Sequence, residues 1–287
     1  MPDLALFPPH IRSLDGFEVR RLLPARALRM VGPFIFFDHL GPSDLPPGAG
    51  VEVRPHPHIG LATVTYLFEG ALMHRDSLGC AQRIVPGDVN WMTAGSGIVH
   101  SERTPEDLRA NGSRLHAIQC WVALPDAEEE TAPAFSHHPA ATLPEIVLPG
   151  VTLRLIAGSA FGKQAPAPVH SPLFYLAAHL QPGASLVLPA EHAERGLYVV
   201  EGGVSVDGTA IPPLHLAVLP PGDEVTLSCH AEARLMLLGG AAVGERHIWW
   251  NFVSSSRERI EQARQRWRDQ VFPPVPGETE FTPLPDR

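Results

Sequence analysis

Residues 54–58 read RPHPH and residues 97–102 read GIVHSE. The first stretch carries His56 and His58 two positions apart, and the second carries His100 and Glu102 at the same spacing. On a β-strand, residues at i and i+2 point to the same face of the sheet. Two neighbouring strands can therefore direct three imidazoles and one carboxylate into one cavity. This donor set suits a divalent transition metal that keeps open positions for water or substrate.

The composition favours an all-β protein. The chain has 287 residues, of which 44% are hydrophobic, and it contains 31 prolines and 25 glycines. Such a length accommodates one large domain or two ordinary ones. Frequent proline and glycine indicate many turns and few long helices. The net charge of −9 argues against direct binding to nucleic acid or to an anionic membrane.

The cysteines and the N-terminus indicate a reduced, cytoplasmic protein. Three cysteines without a CxxC motif predict neither a disulfide framework nor a zinc ribbon. The first residues lack the charged start and apolar core of a signal peptide. No apolar run approaches the roughly 18 residues that a membrane span needs.

An internal repeat predicts two similar domains. Residues 66–70 read YLFEG, residues 198–202 read YVVEG, and a Pro-Gly-Asp turn follows each of them, at 86–88 and at 221–223. A period of about 130 residues is that of a domain rather than a solenoid. We therefore predict domains at 1–130 and 151–287, joined by a surface linker at 131–150.

One helix is predicted near the end of the chain. Ser255 and Glu258 have the spacing of a capping box, and Ile260, Ala263 and Trp267 share one helical face. This helix and the proline-rich tail after Phe272 are assigned to the second domain.

The combination of a His-x-His strand, a later histidine and the Glu-Gly and Pro-Gly-Asp turns resembles the cupin pattern, a small jelly-roll barrel. More specifically, the chain resembles the pirin family of bicupins over nearly its whole length. The matching motifs are VGPF at 31–34, FDH at 37–39, RPHPHIG at 54–60, HRDSLG at 74–79, GDV at 87–89, WMTAGSG at 91–97, HSE at 100–102, QCWV at 119–122 and WNFVS at 250–254.

The resemblance implies two jelly-roll β-barrels and one iron per chain in the N-terminal barrel. The implied ligands are His56, His58, His100 and Glu102. Many other cupins take their carboxylate ligand from a position shortly after the His-x-His, but this chain has no carboxylate there. We expect Fe(II), although Mn, Ni, Co and Cu suit the same donors, because affinity alone does not select among them.

The resemblance also implies a quercetin 2,3-dioxygenase activity that opens flavonol-type substrates with dioxygen. Glu102, or a bound hydroxide, would accept the proton of the flavonol 3-hydroxyl. A flat aromatic substrate needs an apolar slot, for which the candidate residues are Phe34, Phe36, Trp91 and Met92, with Gln119 pointing into the cavity. Plain core packing is the competing interpretation of the four apolar residues.

Two other functions stay open at this point. Pirins also act as non-enzymatic iron-containing regulators of protein partners, as transcriptional co-regulators or modulators of metabolic enzymes. A different metal-assisted cupin reaction, such as an isomerisation, is the third interpretation.

The remaining histidines are interpreted more simply. Candidates for orienting a ligand imidazole, with a purely structural role as the alternative, are His39, His74 and His116, together with Asp38 and Asp76. The pair at 137–138 is predicted to lie in a surface loop, because neighbours in an extended chain point apart. His192 and Glu194 form no His-x-His motif, so the second barrel is predicted to be metal-free.

Overall fold

The computed structural model describes residues 4–14 and 17–285, which form antiparallel β-sheets and two α-helices. The strands up to residue 138 are β1 Ala5–Phe7, β2 His10–Leu14, β3 Phe17–Leu23, β4 Phe34–Leu45, β5 Glu52–His58, β6 Leu61–Glu69, β7 Leu72–Asp76, β8 Ala81–Ile84, β9 Val89–Thr93, β10 Ile98–Arg103, β11 Ser113–Ala123 and β12 Ala134–His138.

The later strands are β13 Glu145–Leu148, β14 Val151–Ala160, β15 Lys163–Gln164, β16 Leu173–Leu180, β17 Ser185–Leu188, β18 Glu194–Glu201, β19 Val204–Val206, β20 Thr209–Ile211, β21 Leu216–Val218, β22 Val225–Ser228, β23 Ala233–Gly240, β24 His247–Trp249 and β25 Phe252–Ser254. The helices are α1 Glu106–Asn111 and α2 Arg257–Arg268. Neither described helix has the length and apolar content to cross a membrane.

One compact unit, the histidine unit, comprises the described residues of Arg12–Val19, Asp38–Ala140 and Val243–Arg287. One of its sheets has the strand order β5-β10-β7-β8, and another contains the run β12-β9-β6-β11. Side chains of the two sheets meet between them, since Glu102 on β10 accepts hydrogen bonds from Thr65 on β6 and Gln119 on β11. The unit is therefore a small β-barrel whose interior is polar around Glu102 and contains a separate buried apolar cluster.

The second compact unit, the companion unit, comprises the described residues of Met1–Ile11, Arg20–Phe37 and Ala141–Ala242. Its sheets have the orders β1-β21-β18-β23-β16-β14-β13, with β15 paired to β14, and β17-β22-β19-β20. Its interior is a buried apolar cluster in which leucine is the commonest residue, followed by alanine and valine. The all-β fold with two cupin-type barrels and a short C-terminal helix is confirmed.

The compact units divide the chain differently from the predicted boundaries at 130 and 151. Residues 131–150 are not a plain linker, because β12 pairs with β9 and β13 pairs with β14. His137 and His138 therefore lie half-buried in β12 rather than in a surface loop. By contact, the described residues from Val243 onwards group with the histidine unit, whereas the prediction places them in the second domain.

The apolar face of α2 explains this assignment. Ile260, Ala263 and Trp267 are buried in one cluster that also contains Ile59 and Phe252 of the histidine unit. The predicted apolar face is thus correct, but the cap is one residue later than predicted. Ser256, not Ser255, accepts the hydrogen bond from the Arg259 N–H.

Ser255 is engaged elsewhere, in a buried polar cluster around Glu129. The Glu129 carboxylate accepts hydrogen bonds from the Ser254 hydroxyl and the Ser255 N–H, each at 2.7 Å. It also pairs with Arg246, whose Nε lies 3.1 Å from its Oε1 and whose side chain is 1% exposed. The Arg246 guanidinium in addition donates to the Leu124 carbonyl at 2.8 Å. These contacts anchor residues 246–255 to the segment at 124–129.

The C-terminal residues 275–284 lie along the strands β5 and β10. Glu278 accepts a hydrogen bond from the Ser101 hydroxyl at 2.9 Å and pairs with Arg103 at 2.7 Å. The Thr282 N–H donates to the Pro55 carbonyl at 2.8 Å. The tail is therefore bonded to the same two strands that carry the sequence-predicted donors.

Replacing Glu278 by glutamine is expected to lower the free energy of unfolding by about 1.5–3 kcal/mol, the range for hydrogen bonds to charged groups. The matched control is Glu280→Gln, since Glu280 pairs with the same guanidinium but its side chain is 58% exposed, against 10% for Glu278. That change is expected to cost less than about 1 kcal/mol, as for other exposed ion pairs. Urea unfolding of both variants measures the difference, and equal losses would contradict the expectation.

Candidate metal centre

The two donor stretches lie on adjacent strands, as the sequence predicts. β5 carries His56 and His58, and the antiparallel neighbour β10 carries His100 and Glu102. His100 lies opposite His56, whereas Glu102 lies opposite Val53, so the register shifts between these pairs. Between these pairs, Arg54 and Pro55 of β5 lie opposite the single residue Ser101 of β10. The one extra residue on β5 forms a β-bulge, a feature that re-aims side chains near functional sites.

The three imidazoles converge inside the barrel. One ring nitrogen from each of His56, His58 and His100 lies within 4.8 Å of the other two, the spacing of a metal-binding group. The ring centroids are 4.4–5.0 Å apart. The side chains are almost inaccessible, with exposed fractions of 8%, 1% and 1%.

Burial also keeps these rings neutral. Desolvation is the main cause that lowers the pKa of all three below the ordinary histidine value of 6.5, and those of His58 and His100 lie well below it. For His56, the Arg54 carbonyl and the charge of Glu102 partly oppose this effect. A neutral imidazole has a lone pair for a metal, so protons compete weakly at this site at neutral pH.

The hydrogen bonds of the rings determine which nitrogen is available. The His56 Nδ1 donates to the Arg54 carbonyl at 2.9 Å, and the His58 Nδ1 donates to the Asn251 carbonyl at 3.1 Å. Because a carbonyl only accepts, both rings must carry their hydrogen on Nδ1 and leave Nε2 bare. The His100 Nε2 is buried without a hydrogen-bond partner in the described part of the chain. Three such nitrogens fit a transition metal, and metal-binding histidines are held through their other nitrogen in this way.

Glu102 lies beside this group but is not part of it. Its carboxylate, 6% exposed, accepts hydrogen bonds from the Gln119 amide at 2.7 Å and from the Thr65 hydroxyl at 3.1 Å. Its charge reaches His56, where it acts to raise the pKa against the larger effect of burial. The role of Thr65 was not predicted from the sequence. Strand alternation was a usable signal, since it places Thr65 on the same inner face as Thr63.

The predicted pocket residues separate into two groups. Cross-strand partners share a face of the sheet. By this rule Met92, paired with Thr63, lies on the inner face with Gln119, whereas Trp91, paired with Val64, lies on the opposite face. The Trp91 indole donates to Thr93 instead of facing the donors.

Phe34 and Phe36 belong to the companion unit, because the chain passes from one unit to the other within β4, after Phe37. Phe34 packs against Tyr175 at 5.4 Å, and the guanidinium of Arg21 lies 4.3 Å over Phe36. For these two residues the contacts agree with the competing interpretation, core packing.

Two aromatic residues near the donors were missed. Trp121 makes an edge contact with the His58 ring at 5.1 Å, and Phe135 stacks on His74 at 4.3 Å. The spacing of Trp121 two positions after Gln119 was a usable signal, since both then share a face. Phe135 lay in the segment predicted to be a linker, where no pattern pointed to the barrel.

Among the other singled-out residues, His74 contacts His100, with Nδ1 atoms 3.4 Å apart. His39 and His116 instead contact each other, with their Nε2 atoms 2.8 Å apart. Cys80 is half-buried, and burial together with Asp76 raises the pKa of its thiol, which disfavours the reactive thiolate.

In the companion unit, the His192 ring donates to the Ser159 carbonyl at 2.9 Å, and Glu194 accepts the Gly32 N–H at 2.7 Å. Each of these two groups is thus bonded to main chain. The metal-free state of this barrel remains a prediction.

Two β-barrels, one of which holds three convergent imidazoles from a His-x-His strand and its neighbour, define the chain as a bicupin of the cupin superfamily. A family model described as "Pirin" matches residues 16–122, and one described as "Pirin C-terminal cupin domain" matches residues 175–273. A pirin-like protein of Caulobacter vibrioides is 50% identical to this chain over 100% of both sequences. The chain belongs to the pirin family.

Solved structures agree with this assignment. A quercetin 2,3-dioxygenase from Acinetobacter baumannii has a TM-score of 0.90 and 34% identity, over 99% of this chain and 96% of that chain. The bacterial pirin YhhW from Escherichia coli, solved in complex with nickel(II), has a TM-score of 0.67 and 18% identity over 84% of this chain and 100% of that one, a likeness of fold alone.

Proposed function

We propose that the chain is a metal-dependent dioxygenase that opens flavonol-type substrates at a His3Glu site, with Fe(II) as the metal. The observation that carries the proposal is the convergence of three neutral imidazoles, of which His56 and His58 donate to main-chain carbonyls through Nδ1. The 34% identity to a quercetin 2,3-dioxygenase over almost the whole chain supports the substrate class. A metal held by His56, His58 and His100 would acidify the 3-hydroxyl of a bound flavonol and keep it near dioxygen.

The residues around the donors suit this chemistry. Glu102 is the group that would complete the metal ligands or accept the substrate proton at one of its oxygens. Gln119 and Thr65 hold that carboxylate in one orientation by donating to its two oxygens. Met92, Trp121 and Phe135 supply an apolar wall on the same inner face, which favours an aromatic guest over a charged one.

The test is turnover by the reconstituted protein. We expect the chain, loaded anaerobically with Fe(II) and then given quercetin and oxygen, to lose the flavonol absorbance and release carbon monoxide. Glu102→Gln keeps the shape of the side chain but cannot accept a proton, so turnover should fall by roughly 10²–10⁴-fold. The controls are the metal-free protein and the variant Asp88→Asn. Asp88 is a buried carboxylate that accepts a hydrogen bond from the main chain instead. Absence of turnover with Fe, Mn, Ni, Co and Cu alike would contradict the proposal.

The second candidate function is that of a non-enzymatic iron protein that regulates protein partners. The burial of the donors favours it, since all three imidazoles are at most 8% exposed and a flavonol would need a path to them. This candidate predicts tight metal binding without turnover. Metal stoichiometry measured on the same samples as the turnover assay separates the two functions.

A further inference from the structure

A series of buried, hydrogen-bonded side chains begins at the Nδ1 atom of His100. The His100 Nδ1 lies 3.4 Å from the His74 Nδ1, and the His74 Nε2 lies 3.0 Å from an oxygen of Asp76. All three residues are at most 3% exposed. Their strands make this possible, because on β7 and β10 Asp76 pairs with His100 and His74 pairs with Glu102, on the same face.

The Asp76 carboxylate is held by main-chain hydrogen bonds as well as by its bond to His74. Its Oδ1 accepts the main-chain N–H groups of Leu78 and Cys80, at 2.9 and 3.1 Å. Its Oδ2 bonds the His74 ring, and the Cys80 thiol also donates to this carboxylate. A carboxylate that accepts three N–H bonds is an acceptor only. Phe135 stacks on the ring of His74 at an interplanar angle of 11° and so restricts the orientation of that ring.

The protons along this series follow from the acceptor at its end. Because Asp76 accepts, the neutral ring of His74 carries its hydrogen on Nε2 and its Nδ1 becomes an acceptor. The His100 Nδ1 must then be the donor of the pair, which leaves the His100 Nε2 as a bare lone pair. That Nε2 is buried without a hydrogen-bond partner among the described residues, and His100 contributes one ring nitrogen to the group of three.

His100 differs from the other two donors in this respect. The tautomers of His56 and His58 are set by main-chain carbonyls, at Arg54 and Asn251, which no side-chain substitution removes. The tautomer of His100 depends on side chains alone. We propose that Asp76 and His74 are positioning residues that hold His100 as the Nδ1–H tautomer and so present its Nε2 to the divalent metal. The metal part of this inference rests on the proposed function; the tautomer does not.

Asp76→Asn tests the direction of the hydrogen bonds that link Asp76, His74 and His100. The amide oxygen must take the place of Oδ1 to accept the Leu78 and Cys80 N–H groups, so the amide NH2 faces the His74 Nε2. His74 is then driven to carry its hydrogen on Nδ1, and His100 is driven to the Nε2–H tautomer that cannot bind a metal. We expect the Kd for Ni(II), an air-stable probe of the same donors, to rise by about 10–100-fold, as for loss of other outer partners.

A pair of variants that leaves Asp76 and its turn intact provides the second test. In His74→Asn the side-chain oxygen can replace the Nδ1 acceptor. The Ni(II) affinity is therefore expected to stay within about 3-fold of the parent, below the roughly 10–100-fold loss for a missing outer partner. In His74→Leu no acceptor remains, and the Kd should rise about 10–100-fold. Asp88→Asn controls for the loss of a buried carboxylate elsewhere in the unit.

The tautomer is read without metal by 15N NMR of histidine-labelled protein. We expect His100 to carry its hydrogen on Nδ1 in the parent and in His74→Asn, and on Nε2 in Asp76→Asn. An unchanged His100 tautomer in folded Asp76→Asn, or equal Ni(II) affinities of the asparagine and leucine variants at position 74, would overturn the proposal. If the parent bound no metal but the tautomers switched as described, the proposed function would fail while the positioning role stood.

Discussion

His58→Ala is expected to lower metal affinity by more than the roughly 10–100-fold that loss of an outer partner costs, because it removes a direct nitrogen donor. The barrel should stay folded, since the deletion costs one buried hydrogen bond, to the Asn251 carbonyl, worth about 1–3 kcal/mol when the partner is left unsatisfied. Metal stoichiometry and the Ni(II) Kd measure the first effect, and urea unfolding of the metal-free protein measures the second.

The same measurements on Glu102→Ala test whether the carboxylate is a fourth ligand. If Glu102 binds the metal, its loss should lower affinity in the same way as His58→Ala. If it only accepts a proton, affinity should persist while turnover is lost. His137→Ala is the control, a half-buried histidine of the same unit that bonds Asn90 and lies outside the group of three. Full metal occupancy in His58→Ala would refute the ligand assignment.

The second large effect is expected for Arg246→Met. The change keeps the apolar stem but leaves Glu129, itself 6% exposed, as a buried charge without its cation. Breaking a buried ion pair from one side costs about 3–5 kcal/mol, because the remaining charge is no longer compensated. We therefore expect the midpoint of urea unfolding to fall sharply.

A double variant separates this charge effect from lost packing. Arg246→Met combined with Glu129→Met removes both charges, and replacing a whole buried pair by apolar side chains is often neutral. The double variant should therefore be more stable than Arg246→Met alone, even though it also leaves Ser254 and Ser255 without their acceptor. A loss below about 1 kcal/mol in the single variant, typical of an exposed pair, would contradict the burial argument.

Local pattern was sufficient to predict the fold and the three imidazoles. Alternation along a strand is a short-range property, so the spacing of His56 and His58 was enough to put both on one face. The repeated Glu-Gly and Pro-Gly-Asp turns were enough to predict two barrels, because each turn type ends a strand wherever it occurs.

Contacts between distant segments could not be predicted in this way. The residues next to Glu102 in the sequence do not indicate that Thr65 and Gln119 bond its carboxylate. The residues next to Phe34 do not indicate in which barrel its ring packs. The cluster that contains Trp267 and Ile59 is of the same kind, since it joins residues about two hundred positions apart. One alternative raised from the motif did gain support, the orienting role of His74 and Asp76, because both lie on the strand beside His100.

The hydrogen bond between His58 and the Asn251 carbonyl spans 193 positions of the chain. When a ribosome has synthesised the first 150 residues, every proposed donor has been made, yet the atom that selects the His58 tautomer does not exist. The centre therefore cannot be completed before Asn251 has been synthesised, because a shorter nascent chain lacks this acceptor. An excised fragment of residues 1–130 would share this defect, however well it folded.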